Sequence, residues 1–280
     1  MAVTLAEKYK PYVDEIFTKE SKRTLLTNQD FDWIGAHTIR IYKVSTSQMN
    51  DYKRNPEKGF TGSRYGAVEG LDATTEEMTL KKDRSFTYAI DKLDNDETLQ
   101  QMDAAKSLAR QQREVVIPEV DAYTYNVMCE NAGHKPPEIE LTSVNIYDEI
   151  LKANNALDNA LVPETNRFIV VTPDIYVIMK KCKDIVMETN IGNDLRLLGV
   201  ISNLDGANVI KVPKTRLPEQ FGFMVCHPCA TVAPVKLEDY RIHECPPGIN
   251  GSLVEGRIVY DAFVMDNKKC AIYYQQMSGE

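Results

Sequence analysis

The chain has 280 residues, of which 43% are hydrophobic, and a formal net charge of -8. This length is enough for one large or two small hydrophobic cores. The negative charge argues against a dedicated nucleic-acid binder, because such proteins set Lys and Arg against phosphates. No stretch approaches the roughly 20 apolar residues of a membrane helix, and the first ten residues lack the apolar core of a signal peptide. We therefore expect a soluble protein that is not secreted, with six reduced cysteines.

The first 35 residues combine a short amphipathic pattern with an interruption at Pro11 and a polar run. Thr4 followed by Glu7 fits a helix capping box. The segment is too short and too interrupted to be a domain. We expect it to lie as an arm, either on a neighbouring subunit, which we favour, or on its own body.

Two extended runs follow, Thr38 to Val44 and Glu77 to Asp91, and their alternating polarity predicts strands. The connection between them, residues 45–75, is rich in glycine and polar groups and far exceeds the usual loop of about 4–6 residues. A purely solvating linker would lack apolar side chains, whereas this loop contains Met49, Tyr52, Phe60, Tyr65, Val68 and Leu71. The connection is either disordered or held by something outside the subunit, and these residues favour the second alternative.

Apolar residues then recur at helical spacing from Asp94, a candidate cap, to Gly133, a candidate C-cap. Pro118 interrupts this pattern, since proline lacks a backbone donor and clashes with the preceding turn. We expect a kink there or two helices end to end. A helix of this length is typical of an element that crosses a whole subunit.

The region after Pro137 predicts short alternating helices and strands, which is an α/β texture. The expected elements are a helix over residues 145–160, a strand over 168–171, a helix opening at Pro173 after Thr172, and a strand-rich stretch over 209–242. Residues 257–265 and 270–274, across a turn at Asp266 and Asn267, predict a closing hairpin.

The strongest chemical candidate is the C-x-x-C of Cys226 and Cys229, followed by His243 and Cys245. These four residues are a candidate zinc quartet, although the one-residue spacing of the second pair is not the usual knuckle. A redox motif should open a helix, whereas the residues after Cys229 are strand-like and reach Pro234. We favour structural thiols and expect no metal.

Other motifs fail on residue identity. The segment from Gly251 to Ile258 lacks the Lys and Ser or Thr of a phosphate-binding loop. The segment from Asp94 has Leu99 and Ala105 where a calcium loop needs glycine and glutamate. Four scattered histidines supply no general-base constellation. We therefore expect no catalytic residues, no cofactor and no enzymatic activity.

The order of these elements, and several stretches of sequence, resemble one branch of the major capsid proteins of tailed bacteriophages, which have the Hong Kong ninety-seven-like fold. The resemblance covers nearly the whole chain, and its most specific part is the carboxyl-terminal segment. The similar stretches are Arg64 to Gly66, Met78 to Leu80, Asp83 to Thr87, Val115 to Asp121, Thr231 to Tyr240, Pro246 to Gly251, Leu253 to Arg257, Tyr260 to Val264 and Asp266 to Lys268.

The resemblance implies an α+β fold with an N-terminal arm, an extended β-hairpin loop, a long kinked spine helix, a peripheral domain and an α/β axial domain. Its expected divisions are residues 1–35 for the arm, 36–91 for the extended loop, 92–139 for the spine helix, 140–252 for the axial domain and 253–280 for the closing hairpin of the peripheral domain. Expected assembly residues are Gly59, Gly62, Arg64, Tyr65, Gly66, Pro118, Pro247 and Gly248.

The implied function is a structural subunit that assembles into hexamers and pentamers of an icosahedral shell around a double-stranded DNA genome. The implied location is the virion, with assembly in the cytoplasm of the host bacterium. Expected partners are further copies of the chain, a separate scaffolding protein, a portal, possible decoration proteins and packaged DNA, with no membrane. An encapsulin-like compartment shell is the nearest alternative, and a zinc or thiol redox protein using Cys226 and Cys229 is the alternative from another class.

Overall fold

The computed structural model describes residues 21–28, 38–44, 46–55, 61–67, 70, 73–93, 104–187 and 203–278. The chain divides into two compact units, a smaller one formed by residues 33–80 and a larger one formed by the rest.

The helices are α1 (Arg23–Leu26), α2 (Ala104–Gln111), a π-helical turn (Gln112–Val116), α3 (Ile117–Glu130), α4 (Ile146–Asn159), α5 (Pro173–Lys181) and α6 (Lys183–Met187). Three 3-10 helices cover Lys214–Arg216, Pro228–Ala230 and Asp266–Ala271. The strands are β1 (Thr38–Val44), β2 (Ala73–Thr79), β3 (Lys82–Asp91), β4 (Phe168–Val171), β5 (Asn203–Leu204), β6 (Ala207–Lys211), β7 (Phe221–Cys226), β8 (Thr231–Val232), β9 (Val235–Glu244), β10 (Gly251–Tyr260), β11 (Phe263–Val264) and β12 (Ile272–Gln276).

The smaller unit contains an antiparallel ribbon of β1 and β2, paired from Thr38 with Thr79 to Val44 with Ala73. The predicted strand from Thr38 to Val44 is confirmed. The single strand predicted from Glu77 to Asp91 is wrong, because the chain breaks at Leu80 and Lys81 and continues in another sheet as β3. The alternation of side chains between the two faces of an extended chain continues through such a break, because this alternation does not depend on which strand is the partner. The sequence pattern therefore did not reveal the change of sheet.

The long helix predicted up to Gly133 is present from α2 to α3, while residues 94–103 lie outside the described part. A π-helical turn stands directly before Pro118, and the N–H of Ile117 donates to the carbonyl of Gln112, five residues back. This wider turn adapts the helix to a proline that cannot donate. Helical turns therefore continue through the proline. Gly133 is not the C-cap, since α3 ends at Glu130 with Asn131 as its cap.

Strands β3, β10 and β9 form an antiparallel sheet with β10 in the centre. Alternate residues of these strands face the long helix. They form two apolar clusters, one around Val116, Ile117, Val120, Ile258 and Tyr260 and one around Ile90, Leu108, Tyr240 and Val254. Each fully buried side chain of this kind stabilises the fold by about 1.5–3 kcal/mol. The helix and the sheet therefore hold each other in place.

The second sheet has the order β12, β7, β4, β6, β5, with β4 and β6 parallel and the other neighbours antiparallel. Helices α4 and α5 pack on it, and α3 contributes Tyr125 and Met128 to the same core. The predicted helix over residues 145–160 and strand over 168–171 are confirmed. The hydroxyl of Thr172 accepts from the N–H of Ile175, which confirms the helix start at Pro173.

The predicted closing hairpin is wrong. Strand β11 pairs with β8 and β12 pairs with β7, and the 3-10 helix Asp266–Ala271 occupies the predicted turn. Two extended runs joined by Asp-Asn are a local signal for a hairpin. Strand β12 instead forms backbone hydrogen bonds with β7, and both strands are buried in the main hydrophobic core.

Residues 21–28 lie on the body of their own subunit. Leu26 is fully buried, and the N–H of Asn28 donates to the carbonyl of Thr231 at 2.7 Å. The hydroxyl of Ser21 donates to Asp121 on α3, also at 2.7 Å. For these residues the preference for a neighbouring subunit is wrong, and the rest of the arm, residues 1–20 and 29–35, lies outside the described part.

Candidate assembly surfaces

Charged side chains pair across the ribbon of β1 and β2, beside its backbone ladder. Arg40 forms an ion pair with Glu77 at 2.6 Å, and Lys43 forms one with Glu76 at 2.9 Å. The Arg40–Glu77 pair is exposed, and such a pair contributes about 0.2–1 kcal/mol, whereas the Lys43–Glu76 pair is more than three-quarters buried. The backbone ladder pairs all seven residues of each strand. An isolated two-stranded ribbon is marginal in water, and it gains stability when another surface covers it.

The loop beyond this ribbon exposes aromatic and apolar side chains. The rings of Tyr52 and Tyr65 meet edge to face at a centroid distance of 5.0 Å, and the N–H of Lys53 donates to the carbonyl of Arg64 at 3.0 Å. Met49 is 98% exposed, Tyr65 78% and Tyr52 51%. These three side chains, the loop cluster, form an amphipathic surface that the unit leaves open to solvent.

Four of the predicted loop residues lie in the described part, and Gly59 lies outside it. Gly62 and Arg64 are exposed, and Tyr65 belongs to the loop cluster. Gly66 has a φ of 98°, and a Cβ there would lie 2.7 Å from Cγ of Asn50. The backbone at Gly66 therefore requires glycine, both for its conformation and for the close approach of Asn50.

The other three predicted assembly residues have local structural roles. Pro118 follows the π-helical turn in the long helix. Pro247 and Gly248 are the central residues of a type II turn between β9 and β10, because Gly248 has a φ of 86° and the N–H of Ile249 donates to the carbonyl of Pro246.

The sequence reading missed the charged outer face of the three-stranded sheet. Arg257 on β10 binds Asp83 on β3 through two hydrogen bonds, at 2.9 and 2.6 Å. Arg241 pairs with Asp239 at 2.7 Å, and His243 lies 3.3 Å from Glu255. The signal was present as charged residues at alternate positions of β9 and β10, opposite the apolar positions that face the helix.

The four residues of the candidate zinc quartet do not form one site. Cys226 ends β7 in the five-stranded sheet, whereas His243 belongs to β9 of the three-stranded sheet. Cys245 is exposed beyond the end of β9. Within the described ranges, no group of three or more His, Cys, Asp or Glu residues could hold a metal ion.

The C-x-x-C thiols are poorly suited to redox chemistry. Burial raises the pKa of Cys226 to about 12, and burial also raises the pKa of Cys229. Cys129, packed in the same core, has its pKa raised by burial as well. A catalytic thiol needs the opposite shift, since the thiolate is the nucleophile. All six cysteines are free thiols.

Comparisons with known proteins identify the fold. No protein-family model matches the chain, and no curated protein matches its sequence. Among the described residues, no helix is long and apolar enough to cross a membrane.

The chain is similar in fold to solved structures. It matches the capsid structure of the Cyanophage P-SCSP1u with a TM-score of 0.72 and 12% identity, over 91% of this chain and 87% of that one. It matches the mature capsid of bacteriophage PhiM1 with a TM-score of 0.67 and 13% identity, over 91% and 84%. It also matches a virus-like particle from Pyrococcus furiosus with a TM-score of 0.61 and 12% identity, over 98% and 100%. The long helix packs its first part against the three-stranded sheet and its last part against the five-stranded sheet. This α+β chain has the major-capsid fold of bacteriophages.

Proposed function

We propose that the chain is a structural shell subunit that assembles with copies of itself into hexamers and pentamers, closing an icosahedral capsid around phage double-stranded DNA. The observation that carries the proposal is the loop cluster, Met49, Tyr52 and Tyr65, on a ribbon that leaves these side chains exposed. Exposed aromatic residues are enriched where proteins meet partners. Heterologous contacts between identical subunits generate closed rings and cages when the rotation closes.

Each part of the fold has a place in this proposal. Residues 33–80, in place of the expected 36–91, act as the extended loop that reaches a neighbouring subunit, because β3 belongs to the larger unit. Helices α2 to α3 act as the spine. The sheet of β3, β10 and β9 acts as the peripheral domain beside the spine. The five-stranded sheet with α4 and α5 acts as the axial domain. It takes in residues 140–234 and the carboxyl-terminal strand β12, in place of the expected 140–252, because β9 pairs with β10 in the three-stranded sheet.

The proposed partners follow from the shell. A separate scaffolding protein guides assembly, a portal occupies one vertex, and decoration proteins bind outside. The packaged DNA faces the inner surface. The subunit acts in the virion after assembly in the cytoplasm of the host bacterium, and it catalyses no reaction.

Replacing the loop cluster tyrosines tests the proposal. The double variant Tyr52→Ser and Tyr65→Ser, expressed with a candidate scaffolding protein, is expected to remain as soluble subunits or small oligomers in electron microscopy and sedimentation. The matched control, Tyr52→Phe and Tyr65→Phe, keeps both rings and is expected to form particles. Normal particles from the serine variant would show that the loop does not drive assembly.

A second candidate is an encapsulin-like compartment, in which the same fold encloses cargo enzymes. The observation behind this alternative is the fold similarity to a virus-like particle from Pyrococcus furiosus, a shell whose description names no phage. Purified particles distinguish the two, since nuclease-protected DNA is expected for a capsid and co-purified protein cargo for a compartment. The zinc alternative has no support, because Cys226 and His243 lie in different sheets. The thiol redox alternative has none either, because Cys226 is buried and burial raises its pKa.

A further inference from the structure

A pocket lies where residues 21–28, the helix α3 and the end of β6 meet. Its volume is about 400 Å³, near the lower end of the range for small-ligand sites. Its polar lining consists of Lys22, Asp121, Tyr125, Lys211 and Arg216. Three cationic side chains therefore face one carboxylate.

The single carboxylate is already satisfied by protein groups. One oxygen of Asp121 accepts from the hydroxyl of Ser21 at 2.7 Å, and the other accepts from Nη1 of Arg216 at 3.0 Å. Asp121 is 1% exposed, so it anchors Arg216 from beneath the pocket. The remaining N–H groups of Arg216 are left for other acceptors.

The two lysines keep most of their hydrogen-bonding capacity. Nζ of Lys22 donates to the carbonyl of Lys211 at 2.9 Å, which leaves two of its three donors. Nζ of Lys211 lies 4.4 Å from the ring centroid of Tyr176, which orients it by a cation–π contact. Neither ammonium forms an ion pair with a carboxylate of the residues that the structure describes. The pocket therefore has excess positive charge.

Tyr125 supplies an independent sign that the pocket takes a ligand. Its side chain is 1% exposed, it lines the pocket, and its hydroxyl has no hydrogen-bond partner in the described part of the chain. A buried hydroxyl normally has a hydrogen-bond partner, because burying it without one costs about 1–3 kcal/mol. Burial raises the pKa of Tyr125, so at neutral pH its hydroxyl is protonated and can donate.

We propose that this pocket binds a compact oxyanion of the phosphate type, held by Lys22, Lys211, Arg216 and the hydroxyl of Tyr125. Charge-assisted hydrogen bonds from three cations suit the several oxygens of such an anion. The site lies within the larger unit, and it does not depend on the proposed shell function.

Calorimetric titration of the purified full chain with inorganic phosphate, at constant ionic strength set with chloride, tests this site. Lys211→Met and Tyr125→Phe are each expected to weaken phosphate binding about tenfold, because the first removes a charged donor group and the second a hydroxyl donor. Lys214→Met is the matched control, since Lys214 is an exposed lysine of the adjacent 3-10 helix outside the pocket lining. It is expected to bind phosphate as the unaltered chain does.

Two results would overturn the proposal: no phosphate binding by the unaltered chain, or an equal loss in all three variants, which would indicate diffuse surface charge. Tyr125→Phe removes one hydroxyl that has no partner among the described residues. Its unfolding temperature without phosphate is therefore expected to equal that of the unaltered chain or to be slightly higher. If phosphate binds as expected, competition with a short DNA duplex identifies the source of the anion. Displacement of phosphate assigns the site to a nucleic-acid phosphate, and no displacement assigns it to the free ion.

Discussion

Gly256 shows how one residue shapes the three-stranded sheet. It stands in the central strand β10, opposite Phe86 on one side and Tyr240 on the other. The two rings stack across it at a centroid distance of 6.1 Å. A Cβ at this position would lie 2.5 Å from Cε1 of Phe86 and 2.8 Å from Cδ1 of Tyr240. The glycine therefore makes room for a cross-strand aromatic pair.

Gly256→Ala is expected to lower the free energy of unfolding by about 1–3 kcal/mol, because the added methyl group overpacks this contact. Urea denaturation of unassembled subunits measures the change. Gly70→Ala serves as the control, since a Cβ there meets nothing within 4 Å. A loss no larger than that of the control would mean that the rings move aside freely.

The cysteines are expected to differ in reactivity according to burial. In folded, unassembled subunits at pH 8, iodoacetamide should label the exposed Cys245 and spare Cys226 and Cys129. The raised pKa of about 12 keeps Cys226 as the unreactive thiol, and its thiolate fraction grows only as the pH rises toward that value. Mass spectrometry of the labelled peptides reads the result. Equal labelling of Cys226 and Cys245 would revive the thiol redox alternative.

At the scale of elements, α3 connects the larger unit through Asp121. This buried carboxylate binds Ser21 of the amino-terminal segment and Arg216 of a 3-10 helix, and Arg23 is buried beside it. Removing one member of such a group leaves buried charge without compensation.

Asp121→Ala is therefore expected to destabilise the subunit by roughly 3–5 kcal/mol, with residues 21–28 released first. Limited trypsin digestion followed by mass spectrometry should show earlier cleavage after Lys22 and Arg23. Asp239→Ala is the control, because its ion pair with Arg241 is on the exposed face of the sheet. Equal protection of both variants would contradict the role of Asp121 in holding the arm.

The loop of the smaller unit depends on Gly66 in the same local way. Gly66→Ala is expected to strain the loop by about 1–3 kcal/mol, because of its φ of 98° and the contact with Asn50. Trypsin should then cleave after Lys53 or Arg64 several times faster than in the unaltered chain. Gly70→Ala again provides the comparison, and an unchanged cleavage rate would argue that the loop tolerates a side chain.

At the scale of the whole molecule, the two compact units allow stability and assembly to be separated. Deleting residues 59–70 removes part of the loop from the smaller unit, while the two hydrophobic clusters under the three-stranded sheet and the core of the five-stranded sheet belong to the larger one. The shortened chain is expected to unfold at nearly the same temperature but to form no particles. Calorimetry and electron microscopy measure the two results, and normal particles would contradict the extended-loop assignment.

The sequence alone determined the local elements and their broad order. The spacing of apolar residues predicted the long helix, and Thr172 before Pro173 predicted a helix start, because both signals depend on neighbours within one or two turns. The exposed tyrosines of the loop were also predictable, since a long glycine-rich loop with aromatic residues has no core of its own to bury them.

Only the tertiary structure decided which strands are partners and which residues share a site. It separated β2 from β3, placed β12 beside β7, and set Cys226 and His243 in different sheets, because strand pairing depends on contacts between residues far apart in the chain. The pocket of Lys22, Tyr125 and Lys211 has no sequence signal, since three distant segments supply its residues. The spacing of apolar side chains shows which face of a helix or strand is buried. Which other element packs against that face depends on the tertiary fold.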